Sequence, residues 1–181
     1  MEMNELISNC NKCNSDLKIT NNPIQLGTTP FVIIGESPAK DGWVVSGRAF
    51  YNTDGKLQAS GRVLEKLPNL IGYKVSDIYF TEMCKCVILD RKKLWECGLN
   101  CLPLLHTQIN SIPCKTILTM GAYPTGVLLG KKIPKLSDVV GKKFPISING
   151  TNYTLIPIYH PSPLNPKGYS GNVEIFKSLI N

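Results

Sequence analysis

The sequence predicts an α/β domain of three layers, with helices on both faces of a central, mostly parallel sheet of four to five strands. Three observations predict it. Short runs of β-branched and aromatic residues recur without polar alternation, the pattern of strands buried on both faces. Stretches with helical spacing lie between them, as parallel connections require. Each apolar run also ends abruptly in polar or turn-forming residues, and in such sheets the ligand crevice lies beyond the carboxyl ends of the strands.

The elements follow in order. Residues 31–34 form the first strand and lead into Gly35, Glu36, Ser37 and Pro38. Residues 77–81 lead into Glu82 and the stretch to Cys86, and residues 116–120 lead into Gly121. Residues 155–159 lead into His160, followed by Pro161, Ser162, Pro163, Leu164, Asn165 and Pro166. Pro157 removes a ladder donor, which places this last strand at an edge or at a bulge. Helices are expected over 60–67, from 91 to about 112, over 123–129 and over 173–180. In the second, Leu94, Cys101, Leu104, Leu105, Gln108 and Ile109 share a helical period, and Pro103 implies a break or a late start.

The chain has 181 residues, enough for one well-buried domain spanning 1–181. An apolar fraction of 43% and a charged fraction of 18% are those of a globular protein, and no run is long enough to span a membrane. The N-terminal residues lack the basic and apolar blocks of a signal peptide, so an intracellular location, cytoplasmic or nucleoid-associated, is expected. A formal charge of +7 suits a polyanionic partner and also serves plain solubility. The seven cysteines are an odd number, which argues against a disulfide framework. Cys10 and Cys13 form a CxxC, whose short turn aims both sulfurs at one metal or cluster. Cys84, Cys86, Cys97, Cys101 and Cys114 are available to complete a site, and some of the seven are expected to be plain buried thiols.

Five elements in order carry a family resemblance: the CxxC at Cys10 and Cys13; Gly35-Glu36-Ser37-Pro38-Ala39; Ser46-Gly47-Arg48-Ala49-Phe50; Lys85-Cys86 with the later run 101–109; and His160-Pro161-Ser162-Pro163-Leu164. Together they resemble the iron–sulfur branch of the uracil-DNA glycosylase superfamily, families 4 and 5. The resemblance runs from Cys10 to about Asn165 and implies the superfamily's three-layer fold. It implies a monofunctional DNA glycosylase that flips out and hydrolytically excises uracil or a related deaminated base in DNA repair, acting as a monomer on DNA and not at a membrane. The alternative from another class is a member that binds damaged DNA without excising the base.

Residue by residue, the resemblance implies Cys10, Cys13, Cys86 and Cys101 as ligands of a structural [4Fe-4S] cluster. Zinc is the alternative occupant of the same sulfurs, and Cys97 competes with Cys101 for the fourth place. His160 and Glu36 are the implied catalytic pair: His160 stabilises the departing base anion, and Glu36 offsets the sugar's positive charge or orients water. Gly35, Phe50, Tyr51 and Glu82 are expected to hold the base, with Phe50 the stacking ring and Tyr51 its substitute. Arg48, Ser162, Leu164 and Lys167 are expected at the DNA, with Leu164 a wedge into the emptied stack; Lys40 and Lys85 are further phosphate candidates. His106 is expected to be structural.

Two departures matter. The spacing from Gly35 to Phe50 and the presence of Asn165 resemble family 5, whereas Glu36 resembles family 4. Glu82 stands where family 4 has an asparagine that reads the base edge. An ionised carboxylate only accepts hydrogen bonds, so the expectation is a preference not confined to uracil, extending to hypoxanthine or another deaminated or damaged base.

Overall fold

A computed structural model describes residues 3–13, 15, 17–19 and 23–180; Met1, Glu2 and Asn181, the ends of the expected 1–181 domain, lie outside them. The strands are β1 (Phe31–Gly35), β2 (Tyr79–Glu82), β3 (Thr116–Met120), β4 (Phe144–Ile148) and β5 (Thr151–Ile158). The α-helices are α1 (Met3–Ser8), α2 (Trp43–Ser46), α3 (Ala59–Glu65), α4 (Leu94–Asn110), α5 (Ala122–Leu129) and α6 (Val173–Lys177). The sheet order is β2-β1-β3-β5-β4. All neighbours run parallel except β4, which pairs antiparallel to β5.

Period-two alternation within β1 splits the core into two layers. Phe31 and Ile33 face one side with Leu64 of α3 and Phe176 of α6, together with Ile78, Phe80, Leu118 and Ile156. Val32 and Ile34 face the other with Leu94, Leu105 and Ile109 of α4 and Val127 of α5. Every residue of β1 is buried, which is why its sequence shows no polar alternation.

Three expectations are corrected. β5 is not an edge strand: β4 lies outside it, and Pro157 sits in register with Thr119 of β3. The Pro157 carbonyl accepts a hydrogen bond from the Gly141 N–H at 2.9 Å, so this residue's hydrogen-bonding edge faces away from β3. Pairing with β4 ends at Leu155 opposite Phe144, so the missing proline N–H falls where there is no ladder to interrupt. β4 itself was not foreseen. Its burial alternates, as suits a strand with one face to solvent, and the Asn149–Gly150 turn joining it to β5 has φ of 48° and 79°, the left-handed pair that favours Asn-Gly in tight hairpins. Pro103 does not break α4, which runs through it; Pro103 and Leu99, whose carbonyl loses its partner, are both exposed, so water can satisfy that carbonyl.

Parallel connections leave β1 toward β2 on one side and run from β3 toward β5 on the other. The boundary between β1 and β3 is therefore a topological switch point, where a crevice opens at the carboxyl ends.

Candidate active site

A crevice of about 240 Å³ opens at that point. Each parallel strand contributes to its lining: Gly35 and Glu36 from β1, Glu82 from β2, Met120 from β3 and His160 from just past β5. Trp43, Ala49, Phe50, Gln58, Phe80 and Arg91 complete much of the wall. Larger open depressions lie beside Trp95 and Tyr123, about 540 Å³, beside Lys115 and Tyr153, about 470 Å³, and over Trp43 and Arg48, about 380 Å³. None of the three gathers an imidazole and carboxylates, so the smaller crevice is where the chemistry can be.

The strand ends are tied across the crevice floor. Met83 donates its N–H to the Gly35 carbonyl at 2.8 Å, and Cys84 donates to the Glu36 carbonyl at 2.9 Å. Gly121 donates to the Ile158 carbonyl at 3.1 Å. Both Glu36 oxygens accept from the Arg91 guanidinium, at 3.0 and 3.1 Å. Arg91 opens a short turn before α4 that is capped by Asp90, whose carboxylate accepts the Lys92 N–H at 3.0 Å. The guanidinium also lies 5.6 Å from the centre of the Tyr123 ring.

His160 is exposed at the rim, yet enough protein crowds its ring that burial lowers its pKa below the ordinary histidine value. Glu36 opposes that shift and Arg91 reinforces it. The imidazole is thus neutral at neutral pH and offers one N–H donor. Behind it, Asn172 is fully buried and clamps the strand end. Its oxygen accepts the Tyr159 N–H at 2.9 Å, and its amide donates to the Tyr159 and Gly168 carbonyls, each at 2.9 Å. The loop after His160 is further stitched by Asn165, which donates to the His160 carbonyl at 3.1 Å, and by the Ser162 hydroxyl, which accepts the Leu164 N–H at 3.2 Å. Gly168 has no Cβ because one would sit 2.9 Å from the His160 carbonyl oxygen and 3.0 Å from that of Ser162. Leu164 projects from this braced loop, 92% exposed.

Phe50 holds a left-handed backbone, with φ of 66°, a conformation costing a bulky residue about 1–2 kcal/mol. It is fixed by the Gln58 N–H, which donates to its carbonyl at 2.8 Å, and its ring packs 4.5 Å from that of Phe80. Tyr51 is not part of the crevice lining; its ring lies under the Arg48 guanidinium at 4.0 Å.

Glu82 lines the crevice beside Gly35. Its Oε2 is buried with no hydrogen-bond partner among the described residues, and a side chain at Gly35 would strike it. Burial pushes this carboxyl up to about 8; Lys85 opposes the rise and Glu36 adds to it. Lys85, expected at phosphate, is instead buried. Its ammonium donates to the Thr81 hydroxyl at 2.7 Å and to the Glu82 carbonyl, and burial lowers its pKa.

The thiols collect on the α4 side of the sheet. The N-terminal segment is held to the stretch after β2 by backbone bonds, Ile19 N–H to the Lys85 carbonyl and Val87 N–H to the Leu17 carbonyl, both 2.9 Å. Cys13 lies close to Cys97 and within the field of Cys10, while Cys86 feels Cys101, Cys13 and Cys10. Burial first, and these neighbours next, push the Cys13 and Cys86 thiols up to about 12. Among the described residues, no three ligating side chains enclose an ion as they stand, so the thiols converge without forming a closed cage. Cys84 points its sulfur to the Leu94 carbonyl at 3.9 Å. His106 is half-buried on α4, with its pKa lowered by burial.

A family model described as the uracil DNA glycosylase superfamily matches residues 24–180. The chain belongs to this superfamily. Within it, the relatives found are type-4 uracil-DNA glycosylases. The type-4 uracil-DNA glycosylase of Pyrobaculum aerophilum is 30% identical over 173 residues, covering 89% of this chain and 82% of that protein. That of Saccharolobus solfataricus is 31% identical over 136 residues, covering 72% of this chain and 60% of that protein. That of Archaeoglobus fulgidus is 26% identical over 162 residues, covering 86% and 78%.

In this uracil-DNA glycosylase fold, Gly35, Glu36, Phe50, Glu82 and His160 meet in one crevice, and Ser162 and Leu164 stand on the loop beside it. Arg48 and Lys167 are exposed, each against a tyrosine ring, Tyr51 and Tyr159. Sequence reasoning missed Arg91 as the partner of Glu36, since only the fold brings positions 55 residues apart together. It also missed Asn172, which carries no local motif. No helix among the described residues is long and apolar enough to cross a membrane.

Proposed function

We infer that the protein is a monofunctional uracil-DNA glycosylase: it binds DNA, extrudes the deaminated nucleotide into the crevice at the β1–β3 switch point, and hydrolyses its N-glycosidic bond. The observation that carries this reading is the convergence of His160, Glu36, Glu82 and Phe50, from separate strand ends and loops, on one crevice of about 240 Å³. The type-4 names of the relatives point the same way.

Bond cleavage leaves negative charge on the base and positive charge on the sugar. A neutral His160 donates to the base carbonyl, stabilising the developing anion in a site partly shielded from water. Glu36, oriented by Arg91, faces the sugar side, where it offsets cationic charge and orients the attacking water. Phe50 stacks on the extruded base. Leu164 fills the gap left in the duplex, while Arg48, Lys40 and Lys167 meet phosphates. Among the described residues no lysine lines the crevice, which fits direct hydrolysis by water rather than an amine-linked intermediate.

Cys10, Cys13, Cys86 and Cys101 are the residues that would hold a [4Fe-4S] cluster. Their fit is supported by the donor set itself: soft thiols from three chain segments, each raising its neighbour's proton affinity, so that a thiophilic cationic centre relieves the repulsion between thiolates. The cluster's part is a structural cross-link of the N-terminal segment to α4. Cys97, close to Cys13 and one turn from Cys101 on α4, is the alternate ligand.

The test is product analysis on uracil-containing oligonucleotides, single- and double-stranded. Free uracil and an abasic strand that breaks only on later alkali treatment are expected, with no adduct trapped by borohydride. Tight retention of the damaged strand without free base would instead identify a binding protein.

A further inference from the structure

The inference rests on the glycosylase reading and concerns how the crevice reads its base. Glu82 lines the crevice, and its Oε2 is buried without a hydrogen-bond partner among the described residues. An ionised oxygen there would be desolvated with no hydrogen bond to compensate it. Of the charged groups around it, Lys85 alone favours the ionised form, and it does so without a hydrogen bond to the carboxylate. Lys85 directs its ammonium to Thr81 and to the Glu82 backbone carbonyl rather than to the carboxylate. Glu36, from the end of β1, is negative and occupied with Arg91. His160, from the end of β5, is neutral.

A neutral carboxylic acid offers one donor and one acceptor side by side, as a side-chain amide does. We propose that Glu82 reads the extruded base as a neutral acid, its carbonyl oxygen accepting the ring N–H and its hydroxyl donating to the adjacent ring carbonyl. The substrate class is therefore bases that present an adjacent N–H and C=O on that edge, uracil among them. This revises the expectation drawn from an ionised Glu82, for which the uracil carbonyl would be repelled. The rise of the Glu82 pKa to about 8 agrees with the geometry. Unlike an amide, the acid can lose its donor: as pH rises past its midpoint, the group becomes acceptor-only and the match to uracil fails.

Single-turnover uracil release by the native protein, Glu82→Gln and Glu82→Ala, from about pH 6 to about pH 9, tests the proposal. Glutamine has the same length and keeps donor and acceptor at every pH. The ratio of the Glu82→Gln rate to the native rate should climb about tenfold per pH unit above the midpoint, and Glu82→Gln should exceed Glu82→Ala by about tenfold or more. A flat ratio, or glutamine no better than alanine, overturns the proposal. An infrared readout is independent of turnover: the native protein at neutral pH should show a protonated-carboxyl C=O band that Glu82→Gln lacks. Absence of that band also overturns it. If no protein releases base at any pH, the glycosylase reading has failed, and the infrared band alone still decides the state of Glu82.

Discussion

His160 and Glu82 face the same crevice, and burial makes both neutral at neutral pH from opposite directions, lowering the pKa of one and raising that of the other. For Glu82 the consequence extends to stability. Its carboxyl holds a proton in the folded protein up to about pH 8, whereas its ordinary value is 4.5. Between those values the native state binds more protons than the unfolded chain, so this group's contribution is full below 4.5 and drains away as pH rises through 8. Glu82→Gln should therefore show a flatter loss of stability between about pH 5 and about pH 8 than the native protein, read as urea midpoints at each pH. For His160 the sign is reversed: its folded pKa is depressed, so the cost appears as pH falls below the ordinary histidine value. At this scale the sequence was legible where a residue sits at the end of an apolar run. Gly35, Glu36, Glu82 and His160 were found that way. Protonation was not legible, because the solvation that sets it comes from chain segments distant in sequence. Tyr51 shows a further limit, since adjacency to Phe50 says nothing of which ring enters the crevice.

The loop after β5 works as a braced unit. Asn172 bonds the backbone N–H and carbonyl of Tyr159, and removing its side chain would leave those part-buried groups unpaired, at about 1–3 kcal/mol. Asn172→Ala should lower stability by that order in denaturant titration. It should also slow base release by up to about 100-fold through misplacement of His160. Leu164 separates the two roles of the loop. It touches little and is 92% exposed, so Leu164→Ala should change stability by no more than about 0.5 kcal/mol. Its effect should appear as slower excision from duplex than from single-stranded DNA, because only a duplex has a stack to refill. The main elements were readable from unbroken apolar runs and helical spacing. β4 was not, because a five-residue strand with one face to solvent gives a weak pattern; its real signal was Asn149-Gly150. Pro157 misled because a proline's cost depends on which edge its nitrogen faces, and that is a property of the finished sheet.

Across the molecule, one side of the sheet carries the thiols and its carboxyl ends carry the crevice, with β2 leading into both: Glu82 lines the crevice and Cys86 lies four residues on. The proposed cluster thus braces the segment that positions the base-reading carboxyl. Cys86→Ser should lose iron, measured by visible absorption and metal analysis, and unfold at a lower temperature, since binding free energy at such sites is folding free energy; zinc in place of iron would reassign the same ligands. The central claim, that His160 stabilises the leaving base, is tested most directly by the single-turnover rate of uracil release from a duplex by His160→Ala beside the native protein. A fall of about 100- to 1,000-fold, the usual cost of removing one donor to a developing anion, with DNA affinity retained, is the predicted result. A rate within a few-fold of the native protein would contradict it.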